Sequence, residues 1–406
     1  MRNRTGALSA AAALLTFGLS IPAQAQNTPA RGNVIVPRSS VVRPEDAGLR
    51  AHTNLLIFVP DSNRPQQSFS GETPASLACV YKLVTQVSGC PISGTTNVPT
   101  GGSGAIAIVD AYDDPNAASD LATFSSTFGL PAANFSVVYA SGKKPPQDST
   151  GGWELEESLD IEWAHAMAPN AQLYLVEASS NSNSALYAAE SVASSLVAAA
   201  GGGEVSNSWG GGESRSETSN DSKYFSTSTV VYFASAGDSP GVIYPSASPN
   251  VVSAGGTTVN RSGGNFTSET AWSSGGGGTS RYEGRPSYQN SVSSIVGSKR
   301  GTPDFSFDAN PSTGVQVYDS TAYEGTVGPW WIVGGTSVSS PSLAGIVNAA
   351  GLFATSTNVE LTTIYSYLGN SSDLRDITSG SCGTHSAKSG YDLCTGVGSD
   401  QGYTGK

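Results

Sequence analysis

The sequence of residues 105–139 is AIAIVDAYDDPNAASDLATFSSTFGLPAANFSVVY, and it contains the repeating unit of the architecture. It begins with a short apolar run rich in β-branched residues, which predicts a buried strand at Ala105–Asp110. Helical spacing follows at Asn116–Phe128, and a second β-branched run predicts a strand at Phe135–Tyr139. Two strands separated by a helix form the unit from which parallel sheets are built.

The same alternation continues along the chain. Further strands are predicted at Gln172–Val176, Glu204–Ser208, Val230–Ala234 and Val251–Ala254, and further helices at Glu154–Met167, Ser184–Ala199 and after Thr336. This order predicts an α/β fold in which helices flank a doubly wound parallel sheet. Ligands of such sheets bind at the carboxyl ends of the strands.

Composition limits the classes of protein that this chain can represent. Its 406 residues carry a formal net charge of -12 with only 20 Lys and Arg residues, so no nucleic-acid partner is expected. The low charged fraction of 13% and the 48 glycines are more typical of secreted hydrolases than of cytosolic enzymes. Near the sequence pI of 4.7 electrostatic self-repulsion would vanish, which favours an acidic working environment.

The amino terminus has the pattern of a secretory signal. Two arginines precede the apolar run Ala7–Leu19, and Ala23-Gln24-Ala25 forms a small-x-small cleavage site. The run is shorter than the roughly 20 residues of a membrane span, so no membrane partner is expected. The sequence therefore predicts a secreted or periplasmic protein with three parts: a signal peptide at 1–25, an amino-terminal arm or pro-segment remnant at 26–95, and a single catalytic domain at 96–406.

The four cysteines fall into two close pairs, Cys79 with Cys90 and Cys382 with Cys394. In an exported protein this spacing predicts two short-loop disulfides. The alternative is a zinc site, which would need CxxC units or histidines at ligand spacing, and neither pattern is present.

A candidate nucleophile lies in Gly334–Gly345, GGTSVSSPSLAG, where a glycine-rich turn leads into a helix of small residues. At this position the helix N–H groups would stabilise negative charge developing beside the oxygen of Ser337. The alternative interpretation of Ser337 is an ordinary helix N-cap.

Two carboxylates, Glu156 and Asp160, lie four residues apart on the helix predicted at Glu154–Met167, which places them on one helical face. If buried there, such a pair shares protons and one apparent pKa rises. A third carboxylate, Asp238, follows the strand Val230–Ala234 in Ser235-Ala236-Gly237-Asp238-Ser239, where the alternative is a simple turn residue.

Together these segments resemble the sedolisins, the serine-carboxyl peptidases of the subtilisin-like clan. The serine segment GTSxxxP is similar to the whole clan, whereas a glutamate in place of the catalytic histidine and an aspartate in the oxyanion hole resemble the sedolisins alone. The resemblance covers roughly residues 100–400. It implies a subtilisin-like fold and a serine-type endopeptidase, or an exopeptidase, that acts as a monomer on polypeptide substrates.

The resemblance also implies further site residues. Ser208, Trp209 and Gly210 match the strand end that binds extended peptides, although Trp209 has core packing as its alternative. The carboxyl-terminal segment resembles the family's loop for one structural calcium ion, with side chains of Asp376 and Asp392 and carbonyls of Ile377, Lys388 and Gly390 as ligands. Family members carry a long folded prodomain, and because this chain has only about 75 residues between signal and core, we do not expect its usual autocatalytic removal.

The resemblance implies acyl transfer: Ser337 attacks, Glu156 accepts its proton, Asp160 orients Glu156, and a protonated Asp238 stabilises the oxyanion. Because reference carboxyl pKa values lie near 4, this mechanism implies acidic conditions. Two alternatives remain open at this point. One is a neutral subtilisin-like triad of Asp110, His165 and Ser337, and the other is a secreted, non-catalytic binding protein on a peptidase fold.

Overall fold

A computed structural model describes residues 32–60, 71–325 and 328–406. The predicted signal peptide lies outside these ranges. The helices are α1 (Pro74–Val80), α2 (Ala117–Phe128), α3 (Gly152–Met167), α4 (Asn183–Ala199), α5 (Glu217–Tyr224), α6 (Ser293–Val296), α7 (Thr336–Ala350) and α8 (Thr357–Ser366).

The strands of the first half are β1 (Gly32–Ile35), β2 (His52–Thr53), β3 (Leu56–Pro60), β4 (Ala105–Ala111), β5 (Asn134–Tyr139), β6 (Gln172–Ala178), β7 (Gly203–Asn207), β8 (Trp209–Gly212), β9 (Val230–Ser235) and β10 (Ile243–Tyr244). Those of the second half are β11 (Val252–Ser262), β12 (Asn265–Ala271), β13 (Gly278–Gly284), β14 (Lys299–Thr302), β15 (Phe305–Asp308), β16 (Val315–Tyr318), β17 (Trp330–Gly334), β18 (Leu374–Arg375), β19 (Ser381–Cys382), β20 (His385–Ser386) and β21 (Ser399–Asp400).

The central sheet has the strand order β18-β21-β15-β11-β9-β7-β4-β6-β5. Every neighbouring pair from β21 to β5 is parallel, while β18 joins one edge antiparallel and β12 forms a hairpin with β11. Parallel strands joined through helices give the predicted α/β architecture, and the prediction of this fold class is confirmed.

Strand β4 shows why the central strands are apolar throughout. Ala105, Ala107 and Val109 pack towards α4 on one face, whereas Ile106 and Ile108 pack towards α2 and α3 on the other. A parallel strand with helices over both faces has no solvated side, so its sequence lacks the alternation of apolar and polar residues. The predictions of β4, β6, β7 and β9 thus rest on burial from both faces.

Helix α3 lies in the interior of the protein, with each of its 16 residues buried. It packs against α7, and the contact is close because Gly345 has no side chain. A Cβ at this glycine would stand 2.7 Å from the Cβ of Met167 and 2.9 Å from the Ala164 carbonyl oxygen. The contact brings the acidic residues of α3 to the amino-terminal end of α7.

Two smaller sheets bind the amino-terminal residues to the main body. Strand β3 lies between β1 and β17 in the antiparallel sheet β1-β3-β17-β16, and β2 pairs with β8 in the sheet β10-β8-β2. Both predicted disulfides, Cys79–Cys90 and Cys382–Cys394, are present in the structure. None of the helices in the described ranges combines the length and apolar character needed to cross a membrane.

Candidate active site

Ser337 occupies the second position of α7 and is completely buried. Its hydroxyl donates to the carbonyl oxygen of Ser208 at 3.2 Å, and its backbone N–H donates to the carbonyl oxygen of Asn54 at 3.0 Å. Pro341 has no N–H for the Ser337 carbonyl four residues earlier, and the Ser208 hydroxyl lies 3.2 Å from that carbonyl instead. The hydrogen bond from Ser208 to this free carbonyl thus connects the start of α7 to the residue that follows β7.

Glu156 and Asp160 come together with Ser337 because α3 packs against α7. Both side chains are completely buried. The Ser208 hydroxyl also reaches Asp160, with 2.8 Å between Oγ and Oδ1. Within the described residues neither carboxyl oxygen of Glu156 has a hydrogen-bond partner, yet the Ser337 hydroxyl is near enough to lower the Glu156 pKa in part.

Burial dominates the electrostatics of this pair. It raises the pKa of Glu156 well above the usual value, and the charges of Asp160 and Asp110 raise that pKa further. Burial likewise raises the pKa of Asp160, while the hydrogen bond from Ser208 lowers it in part. Since neighbouring buried carboxyls do not readily ionise together, at most one of the two is expected to be ionised at acidic pH.

Asp238 reaches the same place from the turn after β9. Its Oδ1 accepts the backbone N–H of Thr336 at 2.7 Å and the Thr336 hydroxyl at 2.9 Å. Asp238 is partly exposed as a residue, but its Oδ2 is buried and has no partner within the described ranges. Burial raises the pKa of Asp238 to about 7, against the opposing effect of the Thr336 hydrogen bonds.

The glycine-rich turn before α7 requires glycine at position 335. Gly335 has a φ of +107°, which side-chain-bearing residues rarely adopt. A Cβ here would stand 2.2 Å from the Asn54 carbonyl oxygen and 2.4 Å from Asp238 Oδ2. The position therefore keeps open the space in which Asp238 Oδ2 faces a carbonyl oxygen beside the Ser337 N–H.

The segment Ser208-Trp209-Gly210 lies where the sequence places it, at the end of β7 and the start of β8. Trp209 is buried and donates from Nε1 to the Val109 carbonyl at 2.9 Å, so its ring serves core packing. The backbone of Trp209 and Gly210 pairs antiparallel with β2. This edge therefore binds an extended segment through its main chain.

Several known proteins are similar to this chain in sequence, although no family model matches it. Sedolisin from Pseudomonas sp. (strain 101) is 27% identical over 348 residues, which cover 76% of this chain and 58% of that protein. Kumamolisin from Bacillus sp. (strain MN-32) is 29% identical over 339 residues, which cover 73% of this chain and 58% of that protein. The chain is thus similar in sequence to sedolisin and kumamolisin over about three quarters of its length.

The solved structure of Pseudomonas sedolisin, a serine-carboxyl proteinase in complex with two molecules of pseudo-iodotyrostatin, superposes with a TM-score of 0.67 at 24% identity. The match covers 82% of this chain and 96% of that one, and it shows the same fold. Xanthomonalisin from Xanthomonas sp. (strain T-22) is 35% identical over 185 residues, 38% of this chain and 21% of that protein. This chain spans less than two thirds of the length of each of these three curated relatives.

The predicted calcium ligands of this sedolisin homologue share one loop. The Gly390 N–H donates to both carboxyl oxygens of Asp376 at 3.1 Å, and the Lys388 N–H donates to Asp392 Oδ2 at 3.0 Å. Two carboxylates thus flank the turn that carries the predicted carbonyl ligands, a donor set of oxygens that fits calcium. In the described ranges no three His, Cys, Asp or Glu side chains form a metal-binding group, so such a site depends on its carbonyls.

The structure does not assemble the alternative histidine triad around Ser337. The His165 ring lies 2.9 Å from the Pro131 carbonyl oxygen in the loop after α2, and burial lowers its pKa. Asp110 is buried next to Asp160 and Glu177. His165 is a buried residue of α3, and its ring contacts the loop after α2.

Two features of the site are absent from the predictions made from the sequence. One is Asn54, which lies between Ser208 and Ser337 although it belongs to the amino-terminal arm. The other is the carboxyl cluster behind Asp160, where Asp110 and Glu177 are in register on β4 and β6. The acidic ends of these strands were a usable signal for the cluster, whereas no local pattern pointed to Asn54.

Proposed function

We propose that this protein is a secreted serine-type peptidase that hydrolyses peptide bonds at acidic pH. The observation that carries the proposal is the convergence of a buried serine at a helix amino terminus, a buried Glu156–Asp160 carboxyl pair on α3 and an oxygen of Asp238 that has no partner in the described ranges. Kinship with the sedolisins supports the same activity. Polypeptides are the proposed substrates, with the enzyme acting as a monomer outside the cell.

In the proposed mechanism the Ser337 hydroxyl attacks a peptide carbonyl while Glu156 accepts its proton. Asp160 holds the carboxyl of Glu156 in place and shares that proton. The developing oxyanion receives a hydrogen bond from the Ser337 N–H and one from protonated Asp238. Glu156 then returns the proton to the leaving amine, and water hydrolyses the acyl ester by the reverse sequence.

The pKa of Asp238 supports the acidic working range. With a pKa of about 7, Asp238 is protonated at acidic pH and loses its proton above neutrality. An ionised carboxylate would repel the oxyanion, so activity is expected to fall as pH rises through 7. A histidine base would give the opposite dependence, since its neutral form increases towards neutral pH.

Ser337→Ala tests the proposed function. We expect hydrolysis of a peptide library at pH 3–7 to fall by at least about 10³-fold, because the residual rate without the nucleophile comes from the oxyanion site and binding alone. Thermal melting should stay close to wild type, since the change removes one oxygen. Turnover at the wild-type rate in this variant would overturn the mechanism.

We also propose one structural calcium ion in the loop of Asp376 and Asp392. Two carboxylates and the carbonyls of Ile377, Lys388 and Gly390 are hard oxygen donors of the kind that calcium prefers. The ion would hold the carboxyl-terminal loop together and take no part in the chemistry at Ser337.

A further inference from the structure

The residues at the end of β2 show how an extended peptide lies in the candidate active site. Thr53 pairs antiparallel with Trp209, and the Asn54 N–H donates to the Ser208 carbonyl oxygen at 3.2 Å. The Asn54 carbonyl oxygen accepts the Ser337 N–H at 3.0 Å, which is one of the donors proposed above for the oxyanion. Asn54 therefore marks the place of the substrate residue whose carbonyl is attacked, the acyl position. An external peptide would pair with the same edge in place of this segment.

The side chain at the acyl position is buried against a polar partner. Asn54 is 1% exposed, and its Nδ2 donates to the hydroxyl of Ser235 at 2.7 Å. Ser235 is the last residue of β9 and is itself completely buried. Such a hydroxyl discriminates against a substrate side chain that cannot donate, because the hydrogen bond is then lost in a site that water does not reach.

Two glycines border the space around this side chain. Gly210 of β8 pairs with His52, two residues before Asn54. Cross-strand partners and residues two apart share one face of a sheet, so the Asn54 side chain and the open side of Gly210 face the same way. Gly237 lies two residues after Ser235, in the turn that follows β9. At both positions the acyl position is bordered by main chain without a side chain.

The side chain of Ile243 fills the space over both glycines. A Cβ at Gly210 would stand 2.5 Å from Ile243 Cδ1, and a Cβ at Gly237 would stand 3.3 Å from the same atom. Ile243 of β10 pairs with Gly212, so its side chain lies on the face that Gly210 and Gly212 share. An apolar side chain that is stiff at χ1 thus closes the space beside the acyl position.

We propose that the enzyme prefers asparagine, a compact side chain with an N–H donor, as the residue before the cleaved bond. Ser235 recognises the amide of that residue, and Ile243 excludes aromatic side chains by occupying the space that they need. The proposal rests on the peptidase function proposed above and names its substrate class, which is peptides cleaved after asparagine. Because it concerns specificity, it predicts ratios between substrates.

The test uses the full chain at pH 4 with three internally quenched peptides that differ only in the residue before the cleaved bond. This residue is asparagine, leucine or phenylalanine. Leucine has the branched skeleton of asparagine without its N–H donor, and phenylalanine is larger. We expect kcat/KM for the asparagine peptide to exceed that for each of the other two by at least about tenfold. Mass spectrometry of the products identifies the cleaved bond.

A matched pair of variants tests the role of Ile243. Ile243→Ala opens the space over the two glycines and should raise the ratio of kcat/KM for the phenylalanine peptide to that for the asparagine peptide by about tenfold. Val242→Ala should keep the wild-type ratio, because a Cβ at Gly278 would stand 3.1 Å from Val242 Cγ2, away from the acyl position. Equal ratios in the two variants would overturn exclusion by Ile243. The ratio is measured on one sample and does not depend on how much of a variant is folded.

A second pair of variants tests the hydrogen bond of Ser235. Ser235→Ala should lower the ratio of kcat/KM for the asparagine peptide to that for the leucine peptide by about fivefold, since only asparagine loses a partner. Ser246→Ala is the control, because the buried Ser246 hydroxyl lies 2.7 Å from the Ser253 hydroxyl, and it should keep the ratio of wild type. An unchanged ratio in Ser235→Ala would refute recognition of the amide by Ser235.

Cleavage of a random peptide library at pH 3–7 separates this proposal from the proposed function. Wild type that cleaves the library but none of the three peptides would overturn the specificity and leave the peptidase function standing. Cleavage of the phenylalanine or leucine peptide as fast as the asparagine peptide would have the same consequence. Wild type that cleaves neither the library nor the three peptides would overturn both proposals.

Discussion

Glu156 and Glu157 are neighbours on α3, and both are completely buried, but the fold gives their carboxyls different surroundings. The pKa of Glu156 responds to Asp160, Ser337 and Asp238 as well as to burial. Burial also raises the pKa of Glu157, whose neighbours are instead Glu177 and Asp114. Only Glu156 therefore lies next to the proposed nucleophile, a distinction that spacing along the helix could not make.

Glu156→Gln should lower the rate of peptide hydrolysis by about 10²–10⁴-fold, because the amide keeps the shape of the side chain but accepts no proton. Glu157→Gln is the matched control, and it should lower the rate by less than about tenfold. Initial rates at pH 4 measure both effects, with melting temperatures to confirm folding. A larger loss of activity in Glu157→Gln than in Glu156→Gln would contradict the assignment of Glu156 as the base.

Asp238→Asn should extend residual activity towards neutral pH. The amide Oδ1 can still accept from Thr336, and Nδ2 supplies a donor that pH does not remove. In wild type, Asp238 loses its donor proton as the pH rises through its pKa of about 7. Profiles of kcat/KM from pH 3 to pH 9 provide the measurement, and an unchanged alkaline limit in the variant would contradict the oxyanion role.

At the scale of elements, the two acidic residues of the carboxyl-terminal loop, Asp376 and Asp392, differ in burial and in hydrogen-bond partners. Asp392 is buried, and its Oδ1 accepts the backbone N–H groups of Cys394 and Thr395 at 2.8 and 2.9 Å. Asp376 is exposed and contacts the turn at Ser389 and Gly390. The disulfide Cys382–Cys394 already constrains the loop around Asp392. A bound ion would therefore mainly stabilise the position of Asp376.

A calcium chelator should therefore lower the melting temperature of wild type. Calcium at a hundredfold excess over its dissociation constant adds about 2.7 kcal/mol to the free energy of unfolding. Asp376→Asn should melt at the chelated value with or without calcium, whereas Asp373→Asn, a nearby partly exposed carboxyl, should respond as wild type does. A melting temperature of wild type that is indifferent to chelator and to added calcium would refute the site.

At the scale of the whole molecule, the described structure buries carboxyls in excess of its buried bases. Glu72, Glu269 and Asp304 face Arg261, Arg375 and Arg300. Others have no basic partner close enough to offset the cost of burial, which raises their pKa values: Asp114 to about 6, Glu154 to about 8, Asp319 to about 8 and Asp238 to about 7. The folded state therefore holds protons on these groups at pH values where the unfolded chain has lost them.

Stability should accordingly be greatest near pH 4 and fall as pH rises to 9. The folded pKa values lie above the unfolded ones, so the folded state binds more protons and its advantage is lost as pH passes from about 4 through the folded values. A loss of a few kcal/mol lowers the melting temperature by roughly 5–10 °C. Calorimetry of Ser337→Ala avoids self-digestion, and a melting temperature that rises towards neutral pH would contradict this prediction.

The predicted elements show where local patterns suffice. Strands β4, β7 and β9 and helices α2, α3 and α4 begin and end within two residues of their predicted bounds, because burial on fixed faces produces the pattern that was recognised. Strand β11 was predicted at Val251–Ala254 but runs over Val252–Ser262. Its second half forms a partly exposed hairpin with β12. The run of apolar residues in the sequence therefore ends before the hydrogen-bonded strand does.

From local pattern the sequence established the α/β sheet, the pairing of the cysteines and the shared face of Glu156 and Asp160, since each depends on residues close together in the chain. The packing of α3 on α7 established which glutamate lies beside Ser337. Asn54 and Ser337 are separated by 283 positions, and the contact between them depends on the path of the whole intervening chain. No local periodicity encodes that path, because the contact arises only when two sheets and a helix amino terminus meet in the folded molecule.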